Sequence, residues 1–116
     1  KLEALKEFKS NTKISKSSKE FLKSLELEVD LHIEELIENV KGLSNIEMLN
    51  IQIEKFEKTM DKAFENNLKK IVFIHGVGNG RLKAEIINRL QHIKGITFHD
   101  ASHKEYGFGA TQVNIL

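Results

Sequence analysis

The sequence contains no cysteine, which excludes disulfides, thiolate catalysis and every zinc finger built on Cys ligands. Long apolar runs are missing too. The longest is the four-residue stretch Ile71-Val72-Phe73-Ile74, far short of the roughly 20 residues that a membrane-spanning helix requires. No basic start followed by an apolar stretch marks a secretory signal. Net charge is almost absent, at +1, so the total selects no partner. A chain without cysteine suits a reducing compartment, and a cytoplasmic location with no membrane contact is expected. No internal repeat or second domain is evident, and 116 residues match one domain of roughly 100–150. With 40% apolar and 30% charged residues, the chain can bury one core of modest size.

What is present is charge segregation. Residues 1–24 carry seven Lys against three Glu, residues 25–68 four Lys against eleven acids, and residues 69–116 seven Lys or Arg against three acids. The balances are +4, −7 and +4. Basic segments of this kind suit a polyanion, whereas the acidic one equally suits the solvated face of a helix.

The Lys/Ser-rich stretch 1–24 has too little apolar content to offset its ordering entropy. Beginning on Lys1, it is expected to be a linker or loosely docked arm joining an upstream domain of a larger protein. Leu25 to Leu31 alternates apolar and acidic residues, the period of a half-buried strand. Ile33, Leu36, Ile37 and Val40 then make the stripe of a short helix over 33–41 that Gly42 ends. Ser44-Asn45-Ile46-Glu47 reads as a capping box. Beyond it, Ile46, Leu49, Ile53, Phe56, Met60, Ala63 and Phe64 recur at helical spacing up to Asn66-Asn67. That stripe can serve a coiled-coil partner or the protein's own sheet.

The β-branched and aromatic run Lys70 to His75 suits a strand buried on both faces. Gly76-Val77-Gly78-Asn79-Gly80 breaks it, Leu82, Ile86, Leu90 and Ile93 mark another helix up to Gly95, and 96–99 and 111–116 read as strands around a loop. The order βααβαββ predicts a two-layer α/β (α+β) domain over 25–116. Its four-stranded mixed sheet is expected to be mostly parallel, with the last pair antiparallel and helices packed against it.

A strand that ends in His-Gly-x-Gly-x-Gly and opens into a helix presents bare amides at a helix N-terminus, which favours an anion such as phosphate. Arg81 and Lys83 add positive charge on the first turn. The dinucleotide fingerprint is excluded because its third glycine falls on Arg81, and the P-loop because Gly80 is followed by Arg81-Leu82. A glycine-rich turn without a ligand is the plain alternative. Asp30 and His32, two apart on a strand, project from one face, and a carboxylate beside an imidazole can fix its tautomer and raise its basicity. Alone, that pair is compatible with a merely solvated strand end.

Together these segments are more specific. Val29-Asp30-Leu31-His32-Ile33, His75-Gly76-Val77-Gly78-Asn79-Gly80-Arg81-Leu82-Lys83 and Tyr106-Gly107-Phe108-Gly109-Ala110-Thr111 occur in the order of three motifs of the small MutS-related (Smr) domain family. Residues 25–116 resemble that family. The departures are Ile33 where the family has glycine, which leads the backbone straight into a helix, Lys83 where it has arginine, and a longer spacing that makes the 33–41 helix an insertion. The resemblance implies nucleic-acid binding, of DNA or RNA, and endonuclease action. It assigns Asp30, His32 and His75 as catalytic, and Gly76, Gly78 and Gly80 as the phosphate loop, joined by Arg81 and Lys83.

His99 and His103, four apart around Asp100, would pair on a metal only if helical. Their segment reads as a strand end and loop, so no cofactor is expected and a divalent metal is permitted but not indicated. Tyr106 and Phe108, flanked by glycines, can stack on bases or cap the core. Tyr106 is counted with the nucleic-acid-binding residues and Phe108 with the core. Three hypotheses follow: a nuclease module with both motifs converging on one pocket, a binding module needing only the basic loop, and a protein-interaction domain exposing an apolar stripe over 33–64.

Overall fold

The structure, a computed structural model, describes residues 24–116. The arm expected over 1–24 therefore lies, apart from Ser24, outside the described residues. The alternating segment forms β1 (Glu26–Asp30), with its glutamates exposed and Val29 buried. Its ladder runs one residue further, as Leu31 N donates to Ile74 O at 2.8 Å. A single helical turn, α1 (Ile33–Leu36), follows at once, so Ile33 does carry the backbone into a helix.

The helix expected over 33–41 stops early. Ile37 is extended, at φ −140° and ψ 155°, and Asn39 Oδ1 accepts from Lys41 N at 2.9 Å. An Asn side chain that bonds the backbone two residues on competes with the helical ladder. Val40, which no core covers, stays exposed.

Helix α2 (Asn45–Glu65) starts on the complete capping box, with Ser44 Oγ accepting from Glu47 N and Glu47 Oε1 accepting from Ser44 N. The middle of its stripe is spent on the protein's own sheet: Ile53, Phe56, Met60 and Ala63 are buried, and the Phe56 and Phe73 rings meet at 4.8 Å, whereas Ile46 and Phe64 at its ends are exposed. Strand β2 (Lys70–Ile74) is buried on both faces. Helix α3 (Arg81–Leu90) adds Leu82, Ile86 and Leu90 to the same core. Strand β3 (Ile96–Asp100), a one-turn helix α4 (His103–Tyr106) within the stretch read as loop, and strand β4 (Ala110–Ile115) complete the chain.

The sheet is four-stranded and mixed, in the order β1-β2-β4-β3. Class and element order are as expected, but the sheet is not mostly parallel. β1 and β2 pair parallel, whereas β4 pairs antiparallel with both β2 and β3. The crossovers do leave β1, β2 and β3 running in one direction. β4 enters between β2 and β3, however, and replaces the parallel pair expected there by two antiparallel ones. Helices α2 and α3 cover one face of the sheet. Val72 and Ala110, with Ala101, form a smaller cluster on the other, against Ile74 and Tyr106. No helix of the described residues is long and apolar enough to cross a membrane.

Candidate active site

β1 and β2 are in register with Asp30 opposite Ile74, so the parallel pairing brings the residues that follow each strand side by side. Ligands of α/β sheets collect beyond such carboxyl ends. His32 leaves β1 there. Its Nδ1 lies 2.7 Å from Asp30 Oδ1, which also accepts from the His32 backbone N–H at 2.9 Å. A carboxylate in this contact accepts, so Nδ1 carries a proton and donates it. Nε2 is left for other work. It points at the glycine loop: a Cβ on Gly76 would lie 2.7 Å from it. Only glycine, with φ +78° here, fits beneath the imidazole. Gln52 Nε2 ties the adjoining Leu31 carbonyl to α2 at 2.8 Å.

His75 leaves β2 in a different setting. It is 7% exposed, and both ring nitrogens are engaged: Nδ1 with Gly76 O at 2.9 Å and Nε2 with Thr111 Oγ1 at 2.9 Å. A carbonyl can only accept, so Nδ1–H donates to Gly76 and Nε2 of the neutral ring accepts the threonine hydroxyl proton. Burial pushes the imidazole below its ordinary pKa, and the nearby Lys83 charge acts in the same direction against the Gly76 bond. A neutral ring with both nitrogens bonded inside the protein does not fit the proton-exchanging role expected of His75.

The loop itself runs through Gly76, Gly78 and Gly80 at φ +78°, +39° and +80°. Asn79 Oδ1 accepts from Arg81 N at 2.9 Å, and α3 begins at Arg81, leaving its first-turn amides without intrahelical partners. Arg81 is exposed and makes no ion pair among the described residues. Lys83, expected to be a second mobile cation, instead pairs with Asp100 at 3.2 Å. A cleft of about 330 Å³ opens beside the loop between the N-terminal ends of α2 and α3, with Gln52, His75, Asn79 and Arg81 on its walls.

The second glycine segment closes against the first. Gly109 O accepts from both His75 N and Gly76 N at 2.9 Å, and a Cβ on Gly109 would lie 3.4 Å from Gly76 Cα. Sequence reasoning missed this clasp, because a contact between loops 33 residues apart leaves no local signal. The two aromatics exchange their expected places. Tyr106 packs with the Val72 cluster and donates its hydroxyl to Glu28, while Phe108 stands 61% exposed. His99 and His103 do not converge. His99 Nδ1 meets Asp100 O at 2.7 Å, and the His103 ring packs on Phe108. Among the described residues no three His, Asp or Glu side chains gather to hold a metal.

The arrangement can hold an anion on the 76–80 loop and set an oriented imidazole beside it. The Smr domain family model matches residues 49–115, which begins inside α2. Asp30 and His32 lie outside that stretch, and the sheet brings them to it. The chain is 32% identical over 105 residues to the endonuclease MutS2 of Clostridium kluyveri, covering 86% of this chain and 12% of the relative. It is 30% identical over 113 residues to the endonuclease MutS2 of Clostridioides difficile, covering 91% and 12%. It thus spans about an eighth of these relatives' length. The crystal structure of the Smr domain of Thermus thermophilus MutS2 superposes with a TM-score of 0.59 at 27% identity, covering 77% of this chain and 96% of that one.

Proposed function

Because the chain belongs to the Smr domain family, we propose that it is a nucleic-acid-directed endonuclease module of a larger protein. The relatives' name as endonucleases supports the reaction class. The observation that carries the reading is His32, held by Asp30 through Nδ1 and facing Gly76 through Nε2. A backbone phosphate seated on the 77–80 amides, beside Gly76, would bring its phosphorus within reach of that nitrogen. Arg81 supplies the free positive charge, and the Lys83–Asp100 pair contributes less than a free lysine would.

His32 Nε2 takes the proton of the attacking hydroxyl, from water or a ribose 2′-OH, as the new P–O bond forms. The P–O bond to the leaving oxygen breaks, and that oxygen receives a proton from the protonated imidazole or from solvent. Asp30 holds the ring in its working tautomer and stabilises the imidazolium. Amides and Arg81 stabilise the extra charge on the phosphorane. His75 is a positioning residue: it orients the Gly76 carbonyl, and with Thr111 and Gly109 it fixes the loop.

The test is cleavage and binding of labelled single-stranded and duplex DNA and RNA by the wild-type chain and His32→Ala. Cleavage falls about 100-fold or more, the scale of losing a general base. Binding, carried by phosphate contacts, changes little and weakens steeply with salt. Undiminished cleavage by the variant removes His32 from the mechanism.

A further inference from the structure

Phe108 is the most exposed aromatic residue among those described, at 61%, and it sits at the tip of the segment whose Gly109 clasps Gly76. Among the described residues nothing packs on its outer surface. The neighbouring Tyr106 is fastened by Glu28 and the Val72 cluster, so exposure is not a general property of this segment. The Phe108 ring is nonetheless held, because the His103 ring contacts it at 4.1 Å with an interplanar angle of 62°. Across the clasp, Val77 of the phosphate loop is 66% exposed. Two exposed apolar residues thus adjoin, in the chain, the Gly76–Gly109 contact that His32 overlies.

An aromatic ring held by a second ring and otherwise largely open to solvent, next to a phosphate seat, matches what an unstacked base requires. A continuous duplex keeps its bases stacked inside and offers such a ring nothing. We infer that Phe108, positioned by His103, is a stacking platform for one unpaired nucleobase beside the phosphate on the 76–80 loop, which makes single-stranded or locally opened nucleic acid the preferred substrate. This rests on the phosphate-loop reading above and adds the substrate class to it.

The experiment compares the full 116-residue chain with Phe108→Ala and Phe108→Trp. Probes are a single-stranded oligonucleotide carrying 2-aminopurine and a fully paired duplex of the same sequence. The wild type is expected to bind the single strand more tightly and to quench 2-aminopurine, as stacking on an aromatic ring does. Phe108→Ala loses about tenfold in single-strand affinity, within the range for removing one stacked aromatic, and loses the quenching. Its duplex affinity shifts less than twofold, and Phe108→Trp retains both single-strand signals. Equal affinities of wild type and Phe108→Ala for the single strand overturn the platform while phosphate binding stands. Equal losses on both probes also overturn it, because they mark a damaged loop. No binding of either probe by the wild type removes the phosphate-loop reading and the platform together.

Discussion

The carboxyl ends of β1 and β2 lie side by side and each carries a histidine, yet the two ends are built for opposite purposes. The β1 end is wet: His32 and Asp30 are 48% and 41% exposed in their side chains, and one ring nitrogen remains uncommitted. The β2 end is dry: His75 is 7% exposed, and hydrogen bonds to Gly76 and Thr111 occupy it. Residue type is shared, but strand position is not: with Asp30 opposite Ile74, His75 falls level with the buried Leu31, whereas His32 falls one residue later, level with Gly76. The sheet neighbourhood differs as well. Among the described residues β1 is an edge strand, whereas β2 has a neighbour on both sides, and β4 supplies the threonine that consumes the free nitrogen of His75.

Exchanging which property each end loses is the sharpest way to test that contrast. Asp30→Asn is expected to cost cleavage about 100-fold, because the imidazole loses its oriented partner. Its stability should change by less than about 1 kcal/mol, since the pair is solvent-exposed. Thr111→Val should do the reverse, costing about 1–3 kcal/mol because a buried ring nitrogen loses its donor, with cleavage reduced only a few-fold. Urea unfolding and cleavage rates measured on both variants decide it. If the stability loss follows Asp30, the assignment of the two ends is inverted.

A smaller effect separates the two by pH. The folded-state pKa of His75 is lowered, first by burial, so above about pH 6.5 the ring is neutral whether folded or unfolded. As pH falls below that value the unfolded chain takes up a proton that the folded chain refuses. Stability then declines until the depressed folded pKa is reached. Replacing His75 with Gln, which keeps a donor and an acceptor, should flatten the decline between pH 7 and 5. Identical slopes in wild type and variant would mean that the ring is not dry.

The smallest expected signal lies on the sheet face opposite α2 and α3. Tyr106 is the single tyrosine of the chain, which has no tryptophan, and its bond to Glu28 pushes its pKa up to about 12. Ultraviolet titration should therefore show no phenolate near pH 10. Glu28→Gln should return the transition toward about 10, the ordinary tyrosine value.

Features written in neighbouring residues were legible. Ser44 and Glu47 sit within one turn, so the capping box could be read directly. The apolar run of β2 declared its burial, and the alternation before His32 put Asp30 on the same face. Features that depend on remote partners were not. Nothing in Ala110 to Ile115 says that this strand slips between β2 and β3, and without that insertion the burial of His75 and the Gly76–Gly109 clasp are invisible. Tyr106 and Phe108 have the same glycine-rich surroundings, and the tether that only the Tyr106 hydroxyl can make has its partner, Glu28, far away in the chain on β1. The early end of α1 was within reach, since Asn39 is a residue that bonds its own backbone, but the stripe Ile33-Leu36-Ile37-Val40 outweighed it.

The placement of β4 also dictates how the domain comes into being. The strand that follows all the others in sequence occupies an interior position, so until it arrives β3 has no ladder partner and the sheet cannot extend beyond β1 and β2. Most of the sheet's hydrogen bonds therefore wait on the C-terminal six-residue strand, a non-local pairing of the kind that slows folding and makes it all-or-none. Closure of the sheet thus waits on its last strand, and the same late pairing supplies the Thr111 that locks His75 in place.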